Sequence, residues 1–201
     1  MISDETRWAE KIRAFIAINR PDAARERVVE IHRELKSFCG DESVRCALPE
    51  QIHLTLKFLG NVDSDSLDDL KAAIQPACRT TPFDLSAQVL GCFPNPRRPR
   101  VIWIGLRGES KFLAALQQRI EAGTKSWREP EARKFHPHLT LGRVNNLSPR
   151  ESQKLSATIE AHAQTVFGSW QVRQIDLMQC KLSPHGAVYS KLASFQLMGE
   201  V

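Results

Sequence analysis

The stretch 13–18 (R-A-F-I-A-I) is a short apolar run that predicts a strand, after which the apolar positions change to a helical spacing at Ala24, Val28, Ile31, Leu35 and Phe38. Asp22 is placed to cap that helix and Gly40 to stop it. Residues 51–59 read as the next strand, closed by the turn Asn61-Val62-Asp63-Ser64. A second helix follows on Leu67, Leu70 and Ile74 and is ended by Pro76. A third strand over 83–90 completes a β-α-β-α-β order.

Beyond the proline- and arginine-rich loop 93–99 the order recurs, with a strand over 101–106, a helix on Leu113, Leu116 and Ile120, and a strand over 138–144. Ser148-Pro149-Arg150-Glu151 is a capping box with proline at the first helical position, opening a helix to about residue 162. Strands near 171–181 and 188–197 close the chain, one more than the first half has. Equivalent features lie about 85 residues apart, which predicts an internal duplication. One domain over 1–201 is therefore expected, built of lobe-like repeats over 13–91 and 101–197. Duplicated lobes related by a pseudo-twofold axis bring equivalent positions face to face across a groove.

Composition narrows the class. No apolar run approaches the roughly 20 residues of a membrane span, and residues 1–14 carry mixed charges where a secretory signal needs an apolar core. A cytoplasmic protein without membrane contact is expected, and a monomer. Five cysteines without a C-x-x-C pair predict packed, reduced thiols. A net charge of +5 permits a polyanionic partner without naming one.

The chemistry lies in a repeated tetrapeptide, His53-Leu54-Thr55-Leu56 and His138-Leu139-Thr140-Leu141, on the two equivalent strands. Because side chains alternate along a strand, His and Thr share one face while both leucines anchor the other. A groove between the lobes then holds two imidazoles and two hydroxyls. Two imidazoles suit in-line displacement at phosphorus, where one group takes a proton from the nucleophile and another gives one to the leaving oxygen. The threonine hydroxyls can donate to the non-bridging oxygens, so this chemistry calls for no cofactor and no metal. The residues alone do not say which histidine is acid and which is base.

Together with Arg13-Ala14-Phe15-Ile16-Ala17-Ile18, the flanks Lys57-Phe58-Leu59-Gly60, Phe135-His136-Pro137 and Gly142-Arg143, Phe93-Pro94 with Val101-Ile102-Trp103, and Gly186-Ala187-Val188-Tyr189, these motifs resemble the 2H phosphoesterases. Within them the chain is similar to the RNA 2′,3′-cyclic phosphodiesterases, also called 2′-5′ RNA ligases. The resemblance implies an α+β fold of two pseudo-symmetric, antiparallel-rich lobes with outer helices around a central groove. It implies an enzyme acting on RNA with a 2′,3′-cyclic phosphate end, with His53 the proton donor to the leaving 3′ oxygen and His138 the base that activates water. Thr55 and Thr140 would hold the phosphate, and the product would be a 2′-phosphate. Other members of the superfamily, acting on linear 2′-5′ oligonucleotides or other small cyclic phosphates, share this groove chemistry. A non-catalytic RNA-binding module is the remaining alternative.

Further candidates follow from strand parity. Lys57 shares the face of His53 and Thr55 if its strand stays regular, and can then touch phosphate. Arg143 has the opposite parity from His138, so a substrate-binding role requires a bulge or a strand end. His136 shares the face of His138, but Pro137 and the lack of a nearby carboxylate cluster favour a supporting role over metal binding. Arg97, Arg98, Arg100, Arg128, Arg133 and Lys134 can guide an RNA backbone or simply face solvent. Phe58 and Trp103 can stack on a base but read as core by default, as aromatic residues in strands do, and His32, His162 and His185 read as structural or surface residues.

Overall fold

The computed structural model describes residues 10–19, 25–131, 133–183 and 186–199. In chain order the elements are β1 (Lys11–Asn19), α1 (Arg25–Lys36), β2 (Val44–Cys46), β3 (His53–Asp63), α2 (Leu67–Ile74), β4 (Phe83–Phe93), β5 (Val101–Gly108), α3 (Ser110–Gly123), β6 (His138–Val144), α4 (Pro149–Ala161), β7 (Val166–Val172), β8 (Gln174–Ser183) and β9 (Gly186–Gln196). The capping box forms at α4, where the Ser148 hydroxyl accepts from the Glu151 N–H and the Glu151 carboxylate accepts from the Ser148 N–H. Asp22 and His185 lie outside the described residues. No helix among those described is long and apolar enough to cross a membrane.

The strands form one nine-stranded sheet in the order β7-β4-β5-β6-β3-β1-β8-β9, with β2 also on β6, and the ladders between these strands are antiparallel. The α+β class is as expected; the composition of the lobes is not. β4, the third strand of the first sequence repeat, pairs with β5 of the second, while β8 crosses back to pair with β1. The spatial lobes are therefore β1, β3, β8 and β9 on one side and β4, β5, β6 and β7 on the other, correcting the boundaries 13–91 and 101–197. The cause is loop length: the connection from Phe93 to Val101 is short, so antiparallel pairing of β4 with its sequence neighbour closes a small loop.

Apolar faces of the four α-helices among the described residues bury against one face of the sheet. Val28, Ile31 and Leu35 of α1, Leu70 and Ile74 of α2, Leu113, Leu116 and Ile120 of α3 and Leu155 of α4 join a single core with Leu54, Leu56, Leu139 and Leu141. Each fully buried leucine contributes about 1.5–3 kcal/mol. The leucines of both tetrapeptides thus fix the strands to the helical layer and leave the opposite face for the histidines.

Candidate active site

β3 and β6 meet at one register pair, Leu54 opposite Leu139. Continuing that antiparallel register places His53 across from Thr140 and His138 across from Thr55, all four on the face away from the leucines. The two histidines are then diagonal neighbours, about 7–8 Å apart at their backbones.

The two imidazoles are held in the same way. His53 Nδ1 donates to the Gln51 carbonyl at 2.7 Å, and His138 Nδ1 donates to the His136 carbonyl at 2.6 Å. A carbonyl only accepts, so Nδ1 carries the proton in each neutral ring and Nε2 is the atom left for chemistry. His53 stacks on Phe15 with centroids 4.7 Å apart and meets the edge of Tyr189 at 5.3 Å. His138 meets the edge of Phe93 at 5.1 Å and lies 6.5 Å from Trp103. Burial against these rings lowers the pKa of both histidines from the ordinary value, only partly opposed by the carbonyl each bonds. At His138 the charges of His136 and Arg143 push in the same direction as burial. Thr55 and Thr140 are partly exposed on the same face.

Two bulges decide where the flanking candidates go. In β3 the register with β1 jumps from Thr55 opposite Ala17 to Lys57 opposite Ile16, leaving Leu56 as an extra residue. Lys57 therefore turns to the core side with Ile16, correcting the expectation that it shares the face of His53. Its ammonium is buried, 2.7 Å from the Glu121 carboxylate of α3 and 2.8 Å from the Arg128 carbonyl. Phe58 takes the groove side in its place, 47% exposed and 5.9 Å from Phe15.

In β6 the same leucine of the second copy, Leu141, is the extra residue, since Thr140 pairs with Trp103 and Gly142 with Ile102. The Leu141 carbonyl accepts from the Ala47 N–H and from His32 Nε2, which pins the bulge. This is the bulge that a role for Arg143 requires, and it turns Arg143 to the groove side with His138 and Thr140. Arg143, Arg13, Arg128, Glu131, Phe58 and Gly60 line a cavity of about 290 Å³. Neither this cavity nor a second of about 400 Å³, at the end of α2 against Met198, is lined by His53 or His138.

His136 presents its carbonyl to His138 and its ring to Phe93 and Trp103. His32 is buried on α1, and His162 is held between the Glu34 carboxylate at 2.9 Å and the Thr165 hydroxyl at 3.1 Å. Both serve the scaffold, as read from the sequence. The clamps Phe15, Tyr189 and Phe93 were not singled out as site residues; the available signal was their place in the family-like segments around each histidine strand. Asp176 was also missed. It is 1% exposed, shares the groove side with Thr55 through Ala17, and accepts from Asn19, Gln174 and Ser194 beside the Lys191 ammonium.

A sheet that joins two histidine strands at its centre, each ring backed by aromatics and tied through Nδ1 to a backbone carbonyl, defines a class of fold with known relatives. The chain matches the family model of the 2′-5′ RNA ligase superfamily over residues 16–181 and belongs to that family. It is 35% identical over 93% of its length to the whole of a Methanothermobacter thermautotrophicus protein named RNA 2′,3′-cyclic phosphodiesterase. A protein of that name from Thermus thermophilus is 32% identical over 94% of this chain and 92% of its own. A crystal structure of a protein from Thermus thermophilus superposes with a TM-score of 0.78 and 30% identity, over 94% of this chain and all of that one. LigT of E. coli, crystallised with 3′-AMP, shares the fold with a TM-score of 0.73 at 24% identity, over 94% of this chain and 99% of that one.

Proposed function

We propose that this protein hydrolyses 2′,3′-cyclic phosphate ends of RNA to 2′-phosphates by two-histidine acid–base catalysis. The observation that supports the reading is the Leu54–Leu139 register, on which the two His-x-Thr pairs share the face of the sheet opposite the leucines. The names of the curated relatives support the substrate.

In this reading His138 Nε2 takes a proton from water as the oxygen attacks phosphorus. The bond from phosphorus to the 3′ oxygen breaks, and His53 Nε2–H gives its proton to that oxygen. The product is a 2′-phosphomonoester beside a free 3′-hydroxyl. Hydroxyls of Thr55 and Thr140 donate to the non-bridging oxygens, where charge grows in the transition state. Arg143 adds a cation on the same side. With an RNA 5′-hydroxyl in the place of water, the same two proton transfers make a 2′-5′ linkage, but the concentration of water favours opening.

The test is a short RNA ending in a 2′,3′-cyclic phosphate, incubated in EDTA, with the product phosphate located. Chelator-resistant formation of a 2′-phosphate, abolished by His53→Ala and by His138→Ala, is the expected result. Dependence on added metal, or a 3′-phosphate product, overturns the mechanism.

A further inference from the structure

The cavity beside the histidine face has a composition that opening one cyclic phosphate does not require. Phe58 and Arg143 occupy the same position in the two copies, five residues after each motif histidine, and each reaches the groove side through a bulged leucine. In one copy that position became an aromatic face and in the other a cation. Phe58 lies nearly half exposed although an apolar core is available one layer below it. Around it stand the guanidiniums of Arg13, Arg128 and Arg143 against the single carboxylate of Glu131, which leaves the cavity positive.

An aromatic face with clustered guanidiniums suits one nucleotide of single-stranded nucleic acid, the base stacking on the ring and the phosphodiester meeting the cations. The placement fits the chemistry next door. Phe58 is three residues beyond Thr55 on the same strand, about 10 Å at strand rise, and Arg143 lines the cavity while standing on the His138 side. Resting on the hydrolase reading above, we propose that this cavity binds the nucleotide immediately upstream of the cyclic end, with its base on Phe58 and its phosphodiester on Arg13 and Arg128. The Glu131 carboxylate then accepts from a base N–H. The substrate class becomes an RNA end of two nucleotides or more, as distinct from a mononucleoside cyclic phosphate.

The experiment compares kcat/KM for a mononucleoside 2′,3′-cyclic phosphate with that for a dinucleotide carrying the same cyclic end. The wild type is expected to favour the dinucleotide by about tenfold or more, the scale of one stacked base. Phe58→Ala, and separately the pair Arg13→Ala and Arg128→Ala, should bring that ratio toward one. The arginine pair should also flatten the salt dependence of KM for the dinucleotide. A wild-type ratio near one, or variants that lose equally on both substrates, overturns the upstream site while leaving hydrolysis of the cyclic end intact. Failure of the wild type to turn over either substrate overturns both readings.

Discussion

Leu54 faces Leu139 where β3 meets β6, and both side chains are fully buried beneath the helices. This pair keeps the two copies of the motif in phase, because one residue of slip would send every histidine and threonine to the wrong face. Leu54→Ala is expected to cost about 2–5 kcal/mol of stability, the range for a large cavity in a core. Its kcat should fall further than that of Leu70→Ala, which empties the same core under α2, away from the β3–β6 junction. Urea unfolding alongside kcat, measured on the folded fraction of both variants, checks this; equal effects would deny the junction its special place.

The pH profile follows from the direction of both histidine shifts. Burial disfavours the imidazolium, so His53 and His138 each lose their proton below the ordinary histidine range. Turnover needs one ring protonated and the other neutral, so kcat/KM should be bell-shaped with its maximum on the acid side of about pH 6.5. The bound phosphate anion favours the charged ring and should move the kcat profile toward alkaline pH. Arg143→Gln removes a cation that depresses His138, so one limb of the bell should shift upward in pH. A kcat/KM maximum well above the ordinary histidine range would contradict this account of the groove.

Lys57 belongs to the scaffold, and its replacement separates that role from phosphate binding. The side chain is 3% exposed and faces a Glu121 side chain that is 17% exposed. Lys57→Met leaves the Glu121 charge buried without its partner, and breaking such a pair costs about 3–5 kcal/mol. The double variant Lys57→Met with Glu121→Leu should recover most of that loss. Thermal unfolding of the three proteins reads the effect, while KM for a mononucleoside cyclic phosphate should stay near the wild-type value in Lys57→Met. A large rise in KM without loss of stability would return Lys57 to the groove.

Lys57 and Arg143 also mark where sequence reasoning stops. The motif histidines, their threonines and the buried leucines follow from alternation and repetition alone, and so do the helices and the Ser148 cap. A bulge carries no comparable pattern: His-Leu-Thr-Leu-Lys-Phe reads as regular alternation until pairing with β1 inserts Leu56 and reverses the parity of everything after it. β2 is three residues long and β7 is separated from β8 by Arg173 alone, so neither stood out as a strand of its own. The exchange of β4 and β8 between lobes is a choice among partners that the local sequence of either strand does not encode.

Gly91 tests how tightly the wall behind His138 is set. It pairs with Trp103 across β4 and β5, and a methyl group at Gly91 would come within 2.3 Å of the indole ring. Gly105 leaves a second gap against the same ring, so Trp103 lies in a slot made by two missing side chains. Real side chains do not approach so closely, so in Gly91→Ala either the strand or the indole must move, at a cost of about 1–3 kcal/mol. The indole is the softer of the two, and His136, whose carbonyl fixes His138 Nδ1, lies 5.6 Å from it. Displacing Trp103 therefore loosens the hydrogen bond that presents His138 Nε2. Gly91→Ala should lower kcat more than it raises KM, and the additional substitution Trp103→Phe, which shortens the ring, should restore part of the loss. If the double variant is no better than Gly91→Ala alone, strain in β4 is the cause and the indole is not the link to His138.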